Sequence, residues 1–163
     1  MAKNKEEKTN VMRVLEQKKI AYTPHSYPHE EGIAVDGVTV AQSMGFGPAI
    51  VFKTLVARGA SKQYYVFDVP VAENLDLKKA AKAVGEKSIE MIHQKELLPL
   101  TGYVHGGCSP VGMKKLFPTV FHSSAENLAA MIVSAGKIGY QVELAPHDLA
   151  ALVRAKFADI IVE

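Results

Sequence analysis

The segment AIVFKTLVA (residues 49–57) and the segment QYYVFDVPV (residues 63–71) lie close together in the chain. Both are rich in β-branched and aromatic residues, which favour strands. The turn 58–62 between them is short, so the two segments are predicted to pair as an antiparallel hairpin. This hairpin is the centre of the predicted fold, and it argues against a sheet made only of parallel strands.

Apolar periodicity and capping residues predict further elements on both sides of the hairpin. Helices are predicted at residues 9–19, 38–44, 77–84 and 94–98, with a last helix from about residue 146. Strands are predicted at residues 22–27, 88–92, 103–105, 119–122, 131–134, 140–144 and 159–162. Because regular alternation of strand and helix is missing, we expect an α/β (α+β) domain with flanking helices on a mostly antiparallel curved sheet or barrel.

Composition bounds the class of protein. The chain has 163 residues, 48% hydrophobic and 22% charged, and no linker-like segment, so one domain over residues 1–163 is expected.

A net charge of +2 argues against a protein whose whole surface binds nucleic acid. Residues 1–19 carry six Lys or Arg and three Glu, which predicts a solvated helix face or a contact for RNA phosphates. No secretory signal or membrane span is recognised, and one cysteine excludes an internal disulfide, so a cytoplasmic protein is expected.

Lys53 is unusual because its neighbours are apolar or neutral for several positions on each side. Strand alternation places it on one face with Val51 and Leu55, and both faces look buried. A buried ammonium is costly unless it is paired or opens into a cleft. Two interpretations stay open: a lysine that extends past its neighbours to water, or a cleft lysine that holds an anionic or carbonyl-bearing ligand.

Two glycine-containing loops are candidates for ligand binding through backbone N–H groups. TGYVHGGCSPVG (residues 101–112) contains Gly106 and Gly107, and SAGKIG (residues 134–139) lies between two predicted strands. Tight turns would also explain both loops, and neither has the spacing of a Walker A motif.

Other side chains give little evidence of catalysis. His25 and His29 flank Pro28 in a loop without a matching third ligand, so no metal site is predicted. Cys108 is interpreted as a small buried filler rather than a nucleophile. From the residues alone, the chain is a cytoplasmic α/β domain with a candidate cleft around Lys53.

Three segments in register resemble the YbaK/EbsC proteins, relatives of the editing domain inserted in bacterial prolyl-tRNA synthetase. They are FKTLV (52–56), TGYVHGGCSPVGMKK (101–115) and VSAGKIG (133–139), and the resemblance covers nearly the whole chain. It implies an α/β fold on a mostly antiparallel barrel and the deacylation of aminoacyl-tRNA at its 3′ CCA end. It also implies action beside prolyl-tRNA synthetase, with no metal or organic cofactor. The free-standing branch is associated with Cys-tRNA(Pro) and Cys-tRNA(Cys).

The resemblance also implies site residues. Lys53 matches a lysine near the 3′-terminal adenosine and the ester, and with Gly106 and Gly107 it forms the expected catalytic set. The expected substrate-binding residues are Tyr27, Asp36, Gly37, Ser134, Ala135, Gly136 and Gln141. Some relatives carry Asp at the position of Gln141, which puts in doubt a mechanism that needs a carboxylate there.

An aminoacyl ester is already activated, so positioning and charge stabilisation could suffice for its cleavage. In this hypothesis Lys53 anchors the adenosine end or the carbonyl, and backbone N–H groups of 106–107 and 134–136 face the developing oxyanion. The attacking group stays open: the substrate thiol, which would make the enzyme a lyase, or a bound water, which would make it a hydrolase. Deacylation of Ala-tRNA(Pro), or a non-catalytic adaptor that binds tRNA or a synthetase, are the alternatives.

Overall fold

The computed structural model describes residues 8–163. Its helices are α1 (Asn10–Gln17), α2 (Gly37–Met44), α3 (Leu77–Val84), α4 (Gln94–Thr101) and α5 (Pro146–Val153), with a short 3-10 helix at Ser123–Asn127. Its strands are β1 (Thr23–Ser26), β2 (Phe52–Gly59), β3 (Tyr64–Pro70), β4 (Ile89–Met91), β5 (Thr119–His122), β6 (Met131–Ser134), β7 (Tyr140–Leu144) and β8 (Ala155–Ala158). No helix in residues 8–163 is both long and apolar enough to cross a membrane.

The strands form two sheets. The larger has the order β4-β2-β3-β5-β8, and the smaller has the order β1-β7-β6. The pairs within β4-β2-β3 and within the smaller sheet are antiparallel, whereas β3-β5 and β5-β8 are parallel. The predicted mixed α/β fold with mostly antiparallel pairing is therefore confirmed.

Among the described residues, backbone pairing joins the two sheets at one isolated bridge, between Val51 and Ile132, just before β2 begins. Because β2 and β6 share no continuous ladder, the described strands do not close into a barrel. Of the two shapes expected from the sequence, the closed barrel is wrong.

The central hairpin forms as predicted. β2 and β3 pair antiparallel from Phe52 opposite Pro70 to Arg58 opposite Tyr64. Apolar residues cover both faces of the sheet: Phe52 belongs to one core cluster and Phe67 to another. Burying a side chain of this size stabilises the fold by about 1.5–3 kcal/mol.

Caps set the helix ends that the sequence predicts. Asp36 accepts a hydrogen bond from the Thr39 N–H at 3.1 Å at the start of α2, and Asp76 caps α3 in the same way. Gly45 ends α2 and Gly85 ends α3, both with positive φ. Thr9 caps α1, so this helix of the basic segment 1–19 is confirmed, while residues 1–7 lie outside the described residues.

Two predicted strands are wrong. Residues 103–105 are loop, because α4 continues to Thr101 and Gly102 then turns the chain in the left-handed conformation. The last strand is β8, which begins straight after Arg154, another residue with positive φ. In the predicted strand 159–162, Ile161 makes an isolated bridge with Leu75 instead of a ladder.

Candidate active site

A cavity of about 300 Å³ opens beside the N-terminal half of β2. Seven of the residues expected from the sequence line it: Tyr27, Asp36, Gly37, Lys53, Gly106, Ser134 and Gln141. They come from the residue after β1, from α2 and the residue before it, and from β2, the loop after α4, β6 and β7. The fold thus gathers most of the predicted site residues, which lie far apart in the chain, around one space.

The cavity lies here because one edge of β2 is left free. Within the described residues, β4 pairs with β2 only at Ala57–Gly59, and β6 pairs with the segment only at the bridge of Val51. Between these two contacts, no strand of the described chain pairs with this edge. The middle of β2 therefore forms a wall of the cavity.

Backbone hydrogen bonds show which groups of β2 face the free edge. The Val71 N–H donates to the Val51 carbonyl at 2.8 Å, and the Gly59 N–H donates to the Gln63 carbonyl at 2.8 Å. Odd-numbered residues of this segment therefore bond to β3, because ladder groups alternate in an antiparallel pair. The N–H and C=O of Thr54 consequently face the cavity side.

Lys53 lies on the wall of the cavity and is partly buried. Burial lowers the pKa of its ammonium, and the negative charge of Glu73 partly opposes that shift. Within residues 8–163, no hydrogen bond or ion pair engages its Nζ atom. This arrangement favours a cleft lysine, which can meet a carbonyl or phosphate oxygen of a ligand.

The loops at Gly106–Gly107 and at 134–139 pack directly against each other. A Cβ atom on Gly106, whose φ is +90°, would lie 2.7 Å from the Cβ of Ala34. One on Gly107 would lie 3.2 Å from the Ile138 nitrogen. Glycine is therefore needed at both positions for close packing, but only Gly106 reaches the cavity.

Three of the backbone groups expected to face an oxyanion are already bonded. The Gly107 N–H donates to Val104, and the Ala135 N–H donates to Tyr140, both to carbonyls at 3.0 Å. The Gly136 N–H donates to the Ser134 hydroxyl at 3.0 Å. None of Gly107, Ala135 and Gly136 lines the cavity, so the structure does not bring their N–H groups to it, and the oxyanion role stays a prediction.

The Gly106 N–H differs from these three. Across the described chain it has no protein acceptor, and its residue lines the cavity. It is a donor that remains for a ligand oxygen.

Gln141 brings an unused acceptor to the same space. It lies in β7 between Ser134 of β6 and His25 of β1, and its side chain is 6% exposed. Its Oε1 atom is buried and has no hydrogen-bond partner within the described residues. An unpaired buried acceptor on a cavity wall suits a ligand that brings a donor.

Asp36 and Tyr27 have limited freedom to act as acid or base. Both carboxylate oxygens of Asp36 accept hydrogen bonds from Thr39 at the start of α2, and these bonds lower the pKa of the carboxyl. Burial raises the pKa of Tyr27. Both residues shape the wall rather than supply a base at neutral pH.

Thr54, His105 and Cys108 also line the cavity, although none of them was predicted to be a site residue. Thr54 and His105 lie within the quoted motifs, directly beside Lys53 and Gly106, which is the signal that could have found them. Cys108 is 7% exposed, and burial raises the pKa of its thiol to about 12. A thiol that stays protonated is a weak nucleophile, in agreement with its predicted role as a filler.

The histidines considered for a metal make other contacts. His25 Nε2 lies 2.8 Å from Glu143 Oε1, and His29 Nδ1 lies 3.0 Å from the Tyr27 carbonyl. Residues 8–163 contain no group of three or more His, Cys, Asp or Glu side chains arranged to hold a metal ion.

The fold and the cavity define a known class of protein. Residues 34–152 match the family model of the aminoacyl-tRNA editing domain, and the chain belongs to this family. Over 161 residues it is 46% identical to an Enterococcus faecalis protein, provisionally named Cys-tRNA(Pro)/Cys-tRNA(Cys) deacylase EbsC, and the match covers 98% of both chains. The resemblance seen in the sequence motifs is therefore confirmed.

Solved structures agree with this assignment. A protein described, again provisionally, as a trans-editing enzyme for prolyl-tRNA synthetase superimposes with a TM-score of 0.79 at 25% identity, over 94% of this chain and 95% of that one. A hypothetical protein, APE2540, superimposes with a TM-score of 0.82 at 18% identity, over 93% and 99% of the two chains. The second similarity concerns the fold alone.

Proposed function

We propose that this protein is a free-standing aminoacyl-tRNA deacylase that clears Cys-tRNA(Pro), and also Cys-tRNA(Cys). The observation that carries the proposal is the 46% identity, along essentially the whole of both chains, to the Enterococcus faecalis protein with that name. The reaction cleaves the ester between the amino acid and the 3′-terminal adenosine. The substrates place this reaction in the cytoplasm.

The size of the cavity supports this substrate. Its volume of about 300 Å³ is at the lower end of the range for small-ligand sites, ~300–1,000 Å³. An aminoacyl group and part of the terminal ribose fit such a space, while the rest of the tRNA stays outside. Lys53 then meets the ester carbonyl or an oxygen of the adenosine end, and the Gly106 N–H meets the oxyanion that develops on the carbonyl.

The walls of the cavity favour attack by the substrate's own thiol. Cys108 stays protonated and Asp36 is held by its capping bonds, so neither is a ready nucleophile or base. In this step the cysteinyl sulfur bonds to the ester carbonyl carbon, and the bond from that carbon to the ribose oxygen breaks. The ribose oxygen receives the thiol proton, and the products are tRNA and a cyclic thioester. Attack by water, which releases free cysteine, is the competing route.

Prolyl-tRNA synthetase is the proposed partner. The structural neighbour at 25% identity is described as a trans-editing enzyme for that synthetase. The net charge of +2 supports the same view, because so small a charge supplies little tRNA affinity of its own.

The proposal is tested by replacing Lys53. The variant Lys53→Ala should deacylate Cys-tRNA(Pro) about a hundredfold more slowly, because one charge-stabilising group next to the ester is lost. The loss of labelled amino acid from Cys-tRNA(Pro), Cys-tRNA(Cys) and Ala-tRNA(Pro) is measured with and without prolyl-tRNA synthetase. Lys156→Ala is the matched control, because Lys156 is an exposed strand lysine on β8, outside the cavity.

Preferential, Lys53-dependent loss of the cysteinyl esters supports the proposal. Faster loss of Ala-tRNA(Pro) would reassign the substrate to the alanyl ester. Binding of charged tRNA with no acceleration for any substrate would indicate a non-catalytic adaptor.

A further inference from the structure

Asp68 is a buried acid whose position needs an explanation. It lies in β3 between Thr54 of β2 and Phe121 of β5, and its side chain is 0% exposed. Its Oδ1 atom accepts a hydrogen bond from the Thr54 hydroxyl at 2.5 Å. Its Oδ2 atom has no partner within residues 8–163. A carboxyl with one unsatisfied oxygen is expensive to bury, so its retention points to a role.

Thr54 connects this acid to the cavity. Asp68 does not line the cavity, but Thr54 does, and its backbone groups face the same side. A threonine hydroxyl has one hydrogen to donate and two lone pairs to accept with. Its hydrogen is committed to Asp68, so only the accepting side of the oxygen remains for a ligand.

We propose that Asp68 is a positioning residue that acts through Thr54. By accepting the Thr54 hydroxyl hydrogen, it leaves the Oγ1 lone pairs of Thr54 as the acceptor for a hydrogen-bond donor on the aminoacyl group. This inference rests on the proposed function and adds to it the chemistry that the cavity recognises. The donor is either the α-ammonium, which every aminoacyl ester carries, or the thiol, which only the cysteinyl ester carries.

The surroundings of Asp68 let it change charge near neutral pH. Burial raises its pKa to about 7, and the hydrogen bond from Thr54 opposes that rise. Cys108 is close enough for Asp68 to influence its thiol, and burial keeps both Cys108 and the nearby Tyr103 neutral, with pKa values raised to about 12. Phe121 faces it from β5, and Lys53 alternates to the opposite face of β2. His105 lines the cavity from the loop after α4.

Protonation of Asp68 would reverse the direction of the hydrogen bond between Thr54 and Asp68. A protonated Oδ1 donates to Thr54 Oγ1, and the threonine hydrogen then turns away from Asp68 toward the cavity. The cavity would present a donor in place of an acceptor, and it would repel the donor on the substrate. Recognition should therefore strengthen as pH rises through about 7.

The test compares three conservative variants: Thr54→Val, Thr54→Ser and Asp68→Asn. Their kcat and KM are measured from pH 6 to 8.5 on Cys-tRNA(Pro) and Ala-tRNA(Pro), with the uncatalysed ester loss subtracted. Differences from the unaltered protein on the same substrate remove the titration of the substrate and of every group that the variants share with the unaltered protein. Thermal unfolding of each variant confirms that it is folded.

The proposal expects Thr54→Val to lose about tenfold in kcat/KM at pH 8, the value of one hydrogen bond, while Thr54→Ser keeps it. Thr54→Val and Asp68→Asn should both lose the step in kcat/KM near pH 7, and Thr54→Ser should retain that step. A loss in Thr54→Val on both substrates assigns the donor as the α-ammonium, and a loss on the cysteinyl ester alone assigns it as the thiol.

Full activity of Thr54→Val on both substrates would overturn the proposal. So would a step that persists in Thr54→Val and vanishes in Asp68→Asn, because Asp68 would then act through another group.

A binding measurement separates this proposal from the proposed function. The probes are 3′-cysteinylamino-3′-deoxyadenosine and its alanyl counterpart, whose amide bond replaces the ester. If the unaltered protein binds a probe with the Thr54-dependent pH step but deacylates no tRNA, the catalytic function fails and the positioning pair stands. If it deacylates tRNA and the step depends on neither residue, the positioning pair fails alone. If no probe binds and no ester is lost, both fail.

Discussion

Asp68 has an ionisable side chain in the middle of a strand whose neighbours are mostly apolar. The hydrogen bond from the Thr54 hydroxyl links this acid to the cavity. Without that bond, Asp68 would only lower the stability of the fold. Gln141 also has an unpaired buried oxygen: its Oε1 atom has no hydrogen-bond partner within the described residues, and the residue lines the cavity. The acceptors Thr54 Oγ1 and Gln141 Oε1, in one cavity with the lysine Lys53, suit a ligand that carries both a donor and a carbonyl.

The ionisation of Asp68 should cost stability as the pH rises. Its pKa is about 7 in the folded protein against 3.8 for the free side chain, so the folded state holds the proton more tightly. Stability is therefore fully present below pH 3.8 and declines as pH rises to about 7. The total loss is about 4 kcal/mol, from roughly 1.4 kcal/mol per unit of pKa shift. Urea unfolding at pH 5 and pH 8 spans about two pH units of this range, so the free energy of unfolding should fall by about 3 kcal/mol between them.

Asp68→Asn is the reference for this measurement, since asparagine fills the same volume without ionising. The unaltered protein should lose stability between pH 5 and pH 8 relative to the variant. An identical pH dependence in both proteins would show that Asp68 ionises without the expected cost of burial.

At the scale of elements, two loops and one strand edge make the site. The free edge of β2 provides one wall, and Gly106 and Ser134, one from each of the two loops, contribute to another. At Gly107 the contact reaches the backbone of Lys137 and Ile138, which leaves little room for a Cβ atom. The rest of the larger sheet holds this edge in place.

Gly106→Ala should damage the site more than a substitution at another left-handed glycine. A Cβ at Gly106 adds a 2.7 Å clash with Ala34 to the strain of a φ of +90°. Gly45→Ala is the matched control, because Gly45 has a φ of +82° and open space around its Cβ position. We expect about 1–2 kcal/mol of lost stability at Gly45 and a larger loss, together with lost deacylation, at Gly106.

Thermal unfolding and deacylation rates compare the two glycine variants. Equal losses of stability in both, with activity intact in Gly106→Ala, would show that the loop adjusts without moving the cavity wall.

At the scale of the whole molecule, charge sets how the protein meets tRNA. Its net charge of +2 is small beside the charge of a tRNA acceptor stem. In the described part of the basic segment, Lys8 already pairs with Glu16 at 3.0 Å. The protein alone should therefore make few phosphate contacts.

Salt dependence tests this expectation. Between 50 and 200 mM salt, the KM for full-length Cys-tRNA(Pro) should rise by about tenfold or less, because few counterions are released. Deacylation kinetics without synthetase provide the measurement, and the adenosine probe serves as the control without a tRNA body. A rise of about a thousandfold would reveal an extended tRNA-binding surface on this chain.

Local signals in the sequence were enough for the hairpin, the caps of α2 and α3 and the strands at 119–122, 131–134 and 140–144. Each of these depends on neighbouring residues: β-branched runs, an Asp before a helix, or a Gly after it. The two wrong strands failed for a local reason as well, because left-handed residues at Gly102 and Arg154 shifted where the chain turns. The sequence left a curved sheet and a barrel both open, because closure depends on how β2 meets β6.

The sequence by itself determined the family, the hairpin at the centre of the fold and most residues around the cavity, because these follow from local patterns and from motifs in register. Only the tertiary structure decided that Gly107, Ala135 and Gly136 have their N–H groups already bonded. It alone also showed that Asp68 stands behind Thr54. Hydrogen-bond partners, free strand edges and burial are set by residues that are distant in the chain, and a linear pattern does not contain those contacts.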